Sequence, residues 1–306
     1  MPEVLYLTES DVQQLLPMRA CIDAVRAAFE ELRDGTGQNQ SRRRLILPTG
    51  TVLHALAGAC GGRMGTKIYS TNGKHGNFEF FFLLFDAETG KTLAIMQASE
   101  LGCIRTGAAT AYAADLLASP GANVLGIIGS GYQARRQVEA VRVVRHIREV
   151  RAWSRNRERL EAFCKEVGAV PAESAEAAVR GAEIVVTATN SKDPVLAADW
   201  IRPGTFVAAM GSNQGNRREL PADLLNAAGW IVVDSLEQAK MEAGDLILAR
   251  QWDNVIELKD VKEAHDTRHV TIFESLGLGL EDVAAGSYVY DQAVKRGIGL
   301  QVGGVD

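Results

Sequence analysis

The spacing of apolar positions changes twice along the chain. Thr8 and Ser10, beside Glu9 and Asp11, form a helix-start signal, because short oxygen-bearing side chains cap free backbone N–H groups. Ile22, Val25, Phe29 and Leu32 then recur at helical spacing, and Gly35 predicts the helix end. From about 45 to 97 the texture shifts to short apolar runs, TVLHALAGA, TKIYS and FEFFFLLFD, separated by Gly, Asn and Pro. They predict strands of an antiparallel or mixed sheet. The stretch 100–118 is rich in Ala and Gly with few charges, and predicts a buried helix. Ser119-Pro120-Gly121 marks a boundary. Beyond it the runs NVLGIIG, VRAW, AEIVVTAT, GTFVAAMG and GWIVVDS alternate with helical stretches, among them 133–147 and Arg157–Val167. Continuous apolar strands alternating with helices predict an α/β fold with a parallel, doubly wound sheet covered on both faces. VTIFESLG closes that series, and a final helix over 280–296 is of the kind that crosses back to an earlier domain. No internal repeat or low-complexity segment interrupts the pattern.

Composition narrows the function classes. The chain has 306 residues, 33 Lys+Arg and 38 Asp+Glu, a formal net charge of −5, and is 46% hydrophobic. That length favours two domains. The mild acidity argues against nucleic acid as a partner, since phosphate neutralisation wants a basic surface. No apolar run approaches the ~20 residues that cross a bilayer, and the longest, 78–85, carries Glu79. The opening MPEVLYLTES lacks a basic start and a long apolar stretch, so no signal peptide and a cytoplasmic location are expected. Cys21, Cys60, Cys103 and Cys164 lie far apart in apolar or small-residue settings, which predicts reduced packing cysteines and no metal site.

Gly129-Ser130-Gly131-Tyr132-Gln133-Ala134 fits G-x-G-x-x-[GA] and stands where the pattern gains meaning, directly after the strand VLGIIG and at the start of a helix. The first glycine permits the tight turn, the second admits a pyrophosphate, and Ala134 lets helix and strand pack closely. The cofactor choice is read about 20 residues on, at the end of the second strand. There Ser154-Arg155-Asn156 offers no acid for a ribose 2′-hydroxyl, whereas Ser and Arg can donate to a 2′-phosphate. NADP(H) is therefore preferred and NAD(H) is possible; the alternative is that Arg155 is a solvated loop residue. Thr187, Thr189, Met210, Gly211 and Ser212 follow other parallel strands, at the sheet edge where such folds bind ligands.

The first domain supplies Arg42, Arg43, Arg44, Arg63, Lys67 and Arg105. Three stand out from ordinary surface cations. Arg44 begins a run ending at Pro48; Lys67 interrupts MGTKIYS and faces inward if Met64 faces outward; Arg105 lies in SELGCIRTGAAT, the least polar helix. A buried charge needs a partner, and a ligand carboxylate or phosphate would serve. Arg grips a carboxylate through two parallel hydrogen bonds, and a desolvated Lys becomes available for proton transfer. Glu242, in KMEAGDL, is a weaker candidate contact, with a helix-surface or capping role as the plainer reading.

Taken in order, Arg44-x-x-x-Pro48, Gly65-x-Lys67, I-R-T-G-A-A-T, G-x-G-x-Q-A, G-S-N-Q-G-N-R-R-E-L and T-I-F-E-S-L-G-L-G-L-E-D resemble the ornithine cyclodeaminase/μ-crystallin family over nearly the whole chain. The resemblance implies a Rossmann-type NAD(P)-binding domain over 119–284. It also implies an α+β domain for substrate binding and homodimerisation over 1–118, completed by about 285–306. It implies hydride transfer at the α-carbon of a small amino or imino acid. By motif, Arg44, Lys67 and Arg105 match the family's carboxylate-binding and proton-transfer cations. Asn77 falls where other members place Thr or Ser, and Ser275 matches a serine near the nicotinamide. One departure matters: Asn213 stands where ornithine cyclodeaminases carry an Asp that handles the substrate amine, and Asn neither takes a proton nor pairs ionically with an ammonium. The expectation is therefore an imine or ketimine reductase, or amino-acid dehydrogenase, in which Asn213 orients the substrate. The alternatives are an ornithine cyclodeaminase with bound NAD and an NADP-dependent small-molecule-binding protein of the crystallin type.

Overall fold

The computed structural model describes residues 4–73, 79–211, 213–262 and 265–303. Asn77 and Ser212 lie outside the described residues. Two compact units emerge: 1–105 with 277–306, and 106–276. The division falls within the long helix Ser99–Leu117, upstream of Ser119-Pro120-Gly121.

The first unit is built on β1 (Val4–Leu7), β2 (Gln38–Ile46), β3 (Thr51–Cys60), β4 (Arg63–Asn72), β5 (Phe80–Asp86) and β6 (Thr92–Gln97). Its helices are α1 (Glu9–Leu15), α2 (Met18–Asp34) and the first part of α3 (Ser99–Leu117). Thr8 caps α1 in a reciprocal box with Asp11, and Gly35 ends α2 in the left-handed conformation. The run β2 to β6 is an antiparallel meander, as the alternating runs predict. The sheet order is β15-β1-β6-β5-β4-β3-β2, where β15 (Leu300–Val302) pairs with β1 from the far end of the chain.

Alternation along β4 buries Lys67 and leaves Met64 out, as the sequence suggests. Strand β2 departs from the expected pattern. Its register with β3 shifts between Gln40 and Arg43, so Arg42 is buried while Arg44 is half-buried. The apolar run after Arg44 is not core: Leu45, Ile46 and Leu47 are exposed, together with Leu53 of β3.

Helix α10 (Gly279–Arg296) packs on this sheet. Its N-terminus crosses β3 in close backbone contact: a Cβ on Gly58 would sit 2.4 Å from the Leu280 nitrogen, and one on Gly279 would sit 2.5 Å from the Ala57 carbonyl. Only glycine at both positions permits this approach, which carries Glu281 and Asp282 down to the inner face of the sheet.

The second unit holds β7 (Val124–Ile128), α4 (Tyr132–Val144), β8 (Glu149–Trp153), α5 (Arg157–Val167), β9 (Val170–Pro171), α6 (Ala175–Val179) and β10 (Ile184–Thr187). These are followed by β11 (Phe206–Ala209), α7 (Ala222–Ala227), β12 (Ala228–Val233), α8 (Leu236–Glu242), α9 (Gly244–Ala249), β13 (Val255–Glu257) and β14 (Val270–Glu274). All eight strands are parallel, in the order β13-β12-β14-β11-β10-β7-β8-β9. The chain winds outward from β7 to β9, then returns to β10 beside β7 and winds the other way. With right-handed crossovers this places helices on opposite faces and makes the β7/β10 edge the topological switch point. The central strands β10, β11 and β14 are buried along their whole length, which explains their unbroken apolar runs. Among the described residues, no helix is long and apolar enough to cross a membrane. The four cysteines are buried and none is in a disulfide.

Candidate functional site

Two constellations carry chemistry, one in each unit. In the first unit, β4 delivers Lys67, α3 delivers Arg105, and α10 delivers Glu281 and Asp282. One carboxylate oxygen, Asp282 Oδ1, accepts from both Lys67 Nζ at 2.8 Å and Arg105 Nε at 2.9 Å. Glu281 accepts from Arg105 Nη1 at 2.8 Å. All four side chains are almost completely buried. Two cations therefore face two anions in a dry setting, where each charge is tolerable only because of the others.

The protonation states follow from this geometry. Burial is the largest influence on Lys67, and nearby Arg105 adds to it; Asp282 opposes both, and the ammonium is left with a pKa lowered to about 8. Burial would neutralise Asp282, but Arg105 and Lys67 outweigh it and hold the carboxyl below its usual range. Burial also works against the Arg105 charge, and Asp282 and Glu281 more than restore it. Within this cluster, the group whose proton moves nearest to neutral pH is thus Lys67. A primary amine poised there can give or take a proton in turnover.

This arrangement changes the argument from burial. Arg105 needs a partner, and α10 supplies it, so its burial alone does not call for a ligand. Its Nε and Nη1 are engaged; Nη2 has no hydrogen-bond partner among the described residues. Arg42 also faces this region, donating to the Gly277 carbonyl at 3.3 Å. Arg63 instead turns to α10, pairing with Asp291 and with the Ser287 carbonyl.

In the second unit, the glycine turn takes the predicted form. Gly129 has φ +121°, and a Cβ there would lie 2.4 Å from the Ala188 carbonyl oxygen, so this position excludes a side chain. Gly131 caps α4 without any side-chain hydrogen bond, and a Cβ there would meet nothing within 4 Å. A helix start beside a glycine with open space around it is a setting an anionic diphosphate fits. Ala134 is buried, Gln133 half-buried and Tyr132 exposed. Ser130 and Ser154 share a hydrogen bond of 2.8 Å, bringing the glycine turn to the end of β8. Arg155 is exposed there, while Asn156 engages its side-chain oxygen in capping α5.

The predicted strand-end residues meet through a group that sequence reasoning missed. Glu219, fully buried, accepts from the Thr187 hydroxyl at 2.9 Å, the Thr189 N–H at 2.7 Å and the Gly211 N–H at 2.8 Å. A Cβ on Gly211 would fall 2.0 Å from the Thr189 carbonyl oxygen, so the glycine is required for this closure. Met210 is buried and donates its N–H to the Thr187 carbonyl. Ser275 is buried at the end of β14, its hydroxyl without a partner among the described residues. Asn213 is half-buried in the following loop. Glu242 is not a surface residue: it is buried at the end of α8 and accepts from Gln238.

The model of the ornithine cyclodeaminase/mu-crystallin family matches residues 3–297. The chain is 39% identical to the ketimine reductase mu-crystallin of Mus musculus over 215 residues, covering 68% of each protein. It aligns with the structure of an archaeal alanine dehydrogenase dimer with bound NAD at a TM-score of 0.92 and 32% identity, covering 98% of this chain and 99% of that one. The Thermococcus litoralis Δ1-pyrroline-2-carboxylate reductase, solved in complex with NADH and L-proline, aligns at a TM-score of 0.90 and 29% identity, covering 98% and 100%.

Proposed function

The chain belongs to the ornithine cyclodeaminase/mu-crystallin family, and from that premise we propose that it is an NAD(P)H-dependent reductase of α-imino or cyclic imino acids, running in reverse as an amino-acid dehydrogenase. The observation that carries this reading is the buried Lys67, its pKa lowered to about 8 and its ammonium held by a carboxylate it shares with Arg105. Such a lysine handles a proton on the substrate nitrogen. Arg105 through Nη2, together with Arg44, holds the substrate carboxylate, and Asn213 orients the substrate by hydrogen bonding. Fixed charge and orientation provide the rest of the rate.

A bound nicotinamide dinucleotide supplies or accepts the hydride. Gly129, Ser130, Gly131 and the first turn of α4 suit its diphosphate, and Thr187, Thr189, Met210, Gly211 and Ser275 suit its nicotinamide half at the sheet edge. The alanine dehydrogenase carries NAD and the pyrroline-2-carboxylate reductase NADH. In this chain Ser154 and exposed Arg155 at the end of β8, with no acid beside them, favour NADPH. Arg155→Asp is therefore expected to raise KM for NADPH while sparing NADH; an unchanged preference in steady-state kinetics overturns that assignment.

The first unit binds substrate and forms the interface of a homodimer. The exposed apolar strip of Leu45, Ile46, Leu47 and Leu53 supports that role. The activity is tested by following NADPH consumption with a panel of cyclic imino acids and of keto acids mixed with ammonia. Imine-dependent oxidation of NADPH is the expected result. Ammonia release from ornithine without net cofactor consumption would replace this reading by the cyclodeaminase one. Tight ligand binding with no hydride transfer would replace it by the binding-protein one.

A further inference from the structure

Beneath the strand ends of the second unit lies a group of carboxylates that the proposed chemistry does not use. Glu219 ties together Thr187, Thr189 and Gly211, the ends of β10 and β11. Glu219 is itself held in place by Asp245 of α9, whose Oδ1 accepts the backbone N–H groups of Glu219 at 2.8 Å and Leu220 at 2.6 Å. Asp245 in turn shares a side-chain hydrogen bond with Glu274, the last residue of β14. Glu219, Asp245 and Glu274 are each at most 1% exposed. The chain of contacts is continuous from β14 through α9 to the floor of the dinucleotide site.

Two carboxylates hydrogen-bonded to each other need a proton between them, because neither is a donor when ionised. The charged groups acting most strongly on Glu274 are Asp245, Glu219 and Asp234, all acidic. Glu274 Oε1 is buried and receives no N–H or hydroxyl hydrogen bond from the described residues. That is tolerable for the oxygen of a neutral acid and much more costly for a carboxylate. Asp245 is committed to accepting two N–H groups, so the proton belongs on Glu274, which donates it to Asp245. Burial first, then the neighbouring acids, push the Glu274 carboxyl well above its usual range.

We propose that Glu274 is a positioning residue for cofactor binding: held as the neutral acid, it fixes Asp245, which fixes Glu219, which closes the ends of β10 and β11 into the floor under the nicotinamide half. Loss of the Glu274 proton turns its hydrogen bond with Asp245 into repulsion between two buried anions, and the floor loosens. The inference rests on the dinucleotide-binding reading of this unit but not on the identity of the substrate.

The test is NADH affinity against pH, followed by fluorescence titration. NADH is the probe because it lacks a 2′-phosphate that would titrate in the same range. In the wild-type protein, Kd is expected to rise as pH increases beyond the pair's pKa, approaching about tenfold per pH unit for a single linked proton. Glu274→Gln, which keeps a donor toward Asp245 but cannot ionise, is expected to bind NADH with wild-type affinity at low pH and to abolish the rise. Asp245→Asn removes the same single charge and is expected to flatten the profile too. A merely structural role for Glu274 would shift affinity equally at every pH.

Melting of the cofactor-free protein gives a second arm. The folded chain keeps a proton that the unfolded chain has already lost above the ordinary carboxylate range, so rising pH drains stability from the wild type and not from Glu274→Gln. The melting temperature of the variant should therefore gain on the wild type as pH rises. Equal pH dependence of wild type and Glu274→Gln in both arms overturns the proposal. Failure of the wild type to bind NADH or NADPH at any pH counts against the dinucleotide reading instead, and the melting arm still decides whether Glu274 holds the proton.

Discussion

Lys67→Ala is expected to lower turnover by roughly 10²–10⁴-fold, the usual range for removing a positioned acid–base group, while NADPH binding stays at its wild-type strength. Lys67 is one of two cations meeting at a single carboxylate oxygen, so its loss leaves Asp282 still paired with Arg105. The fold therefore survives and the chemistry does not. The glycine turn proposed to hold the diphosphate lies on different residues of the other unit, which is why cofactor affinity should be spared. The pH profile carries the sign. Imine reduction needs the ammonium form, so its rate should fall as pH rises past about 8, where Lys67 gives up its proton. Dehydrogenation in the reverse direction needs the free amine and should rise over the same interval. Stopped-flow and steady-state rates for wild type and variant check both statements. An unchanged kcat would remove Lys67 from the mechanism.

The second large effect is expected for Asp282→Asn. Two buried cations share this carboxylate, and removing one partner of a buried ion cluster costs about 3–5 kcal/mol. Urea denaturation should show a lower midpoint. Part of the cost is escapable, because Lys67 can shed its proton and restore neutrality. Its pKa should then drop further, and the pH profile of kcat/KM for imine reduction should move toward acid. The Asp282 carboxyl is held below its usual range, so in the wild type its contribution is present at neutral pH and fades only as pH falls through that lowered pKa. A variant with both the wild-type midpoint and the wild-type profile would show that Asp282 neither stabilises the cluster nor sets the lysine.

Much of this was legible in the residues. The strand and helix series of the second unit follows from unbroken apolar runs, and the glycine turn follows from its place between β7 and α4. Lys67 was legible from simple alternation with Met64. Arg42 was not, because a register shift in β2 turns it inward and leaves the apolar run after Arg44 exposed; a period-two reading cannot anticipate a bulge. Glu281 and Asp282 were visible as a motif but not as partners of Lys67 and Arg105. Their signal was two acids set in the apolar run LGLGL…VAAG, which needs counter-charges once it is buried. Glu219 gave no such signal. It stands in R-R-E-L, which reads as a solvated loop, and only the fold brings it under the ends of β10 and β11.

The placement of Asp282 on α10 also governs how the molecule is made. Its bonds to Lys67 and Arg105 join residues 215 and 177 positions apart, and β1 pairs with β15 from the opposite end of the chain. During synthesis the first 105 residues leave the ribosome with Lys67 and Arg105 lacking their counter-ions and with a sheet edge lacking its neighbour. The second unit is a continuous stretch and can close on its own local contacts. The amino-terminal unit must wait for residues beyond 277, and its non-local closure makes it the slower half to fold. Nascent or truncated chains that stop before α10 thus expose an unfinished sheet and uncompensated cations, the state on which chaperones would act.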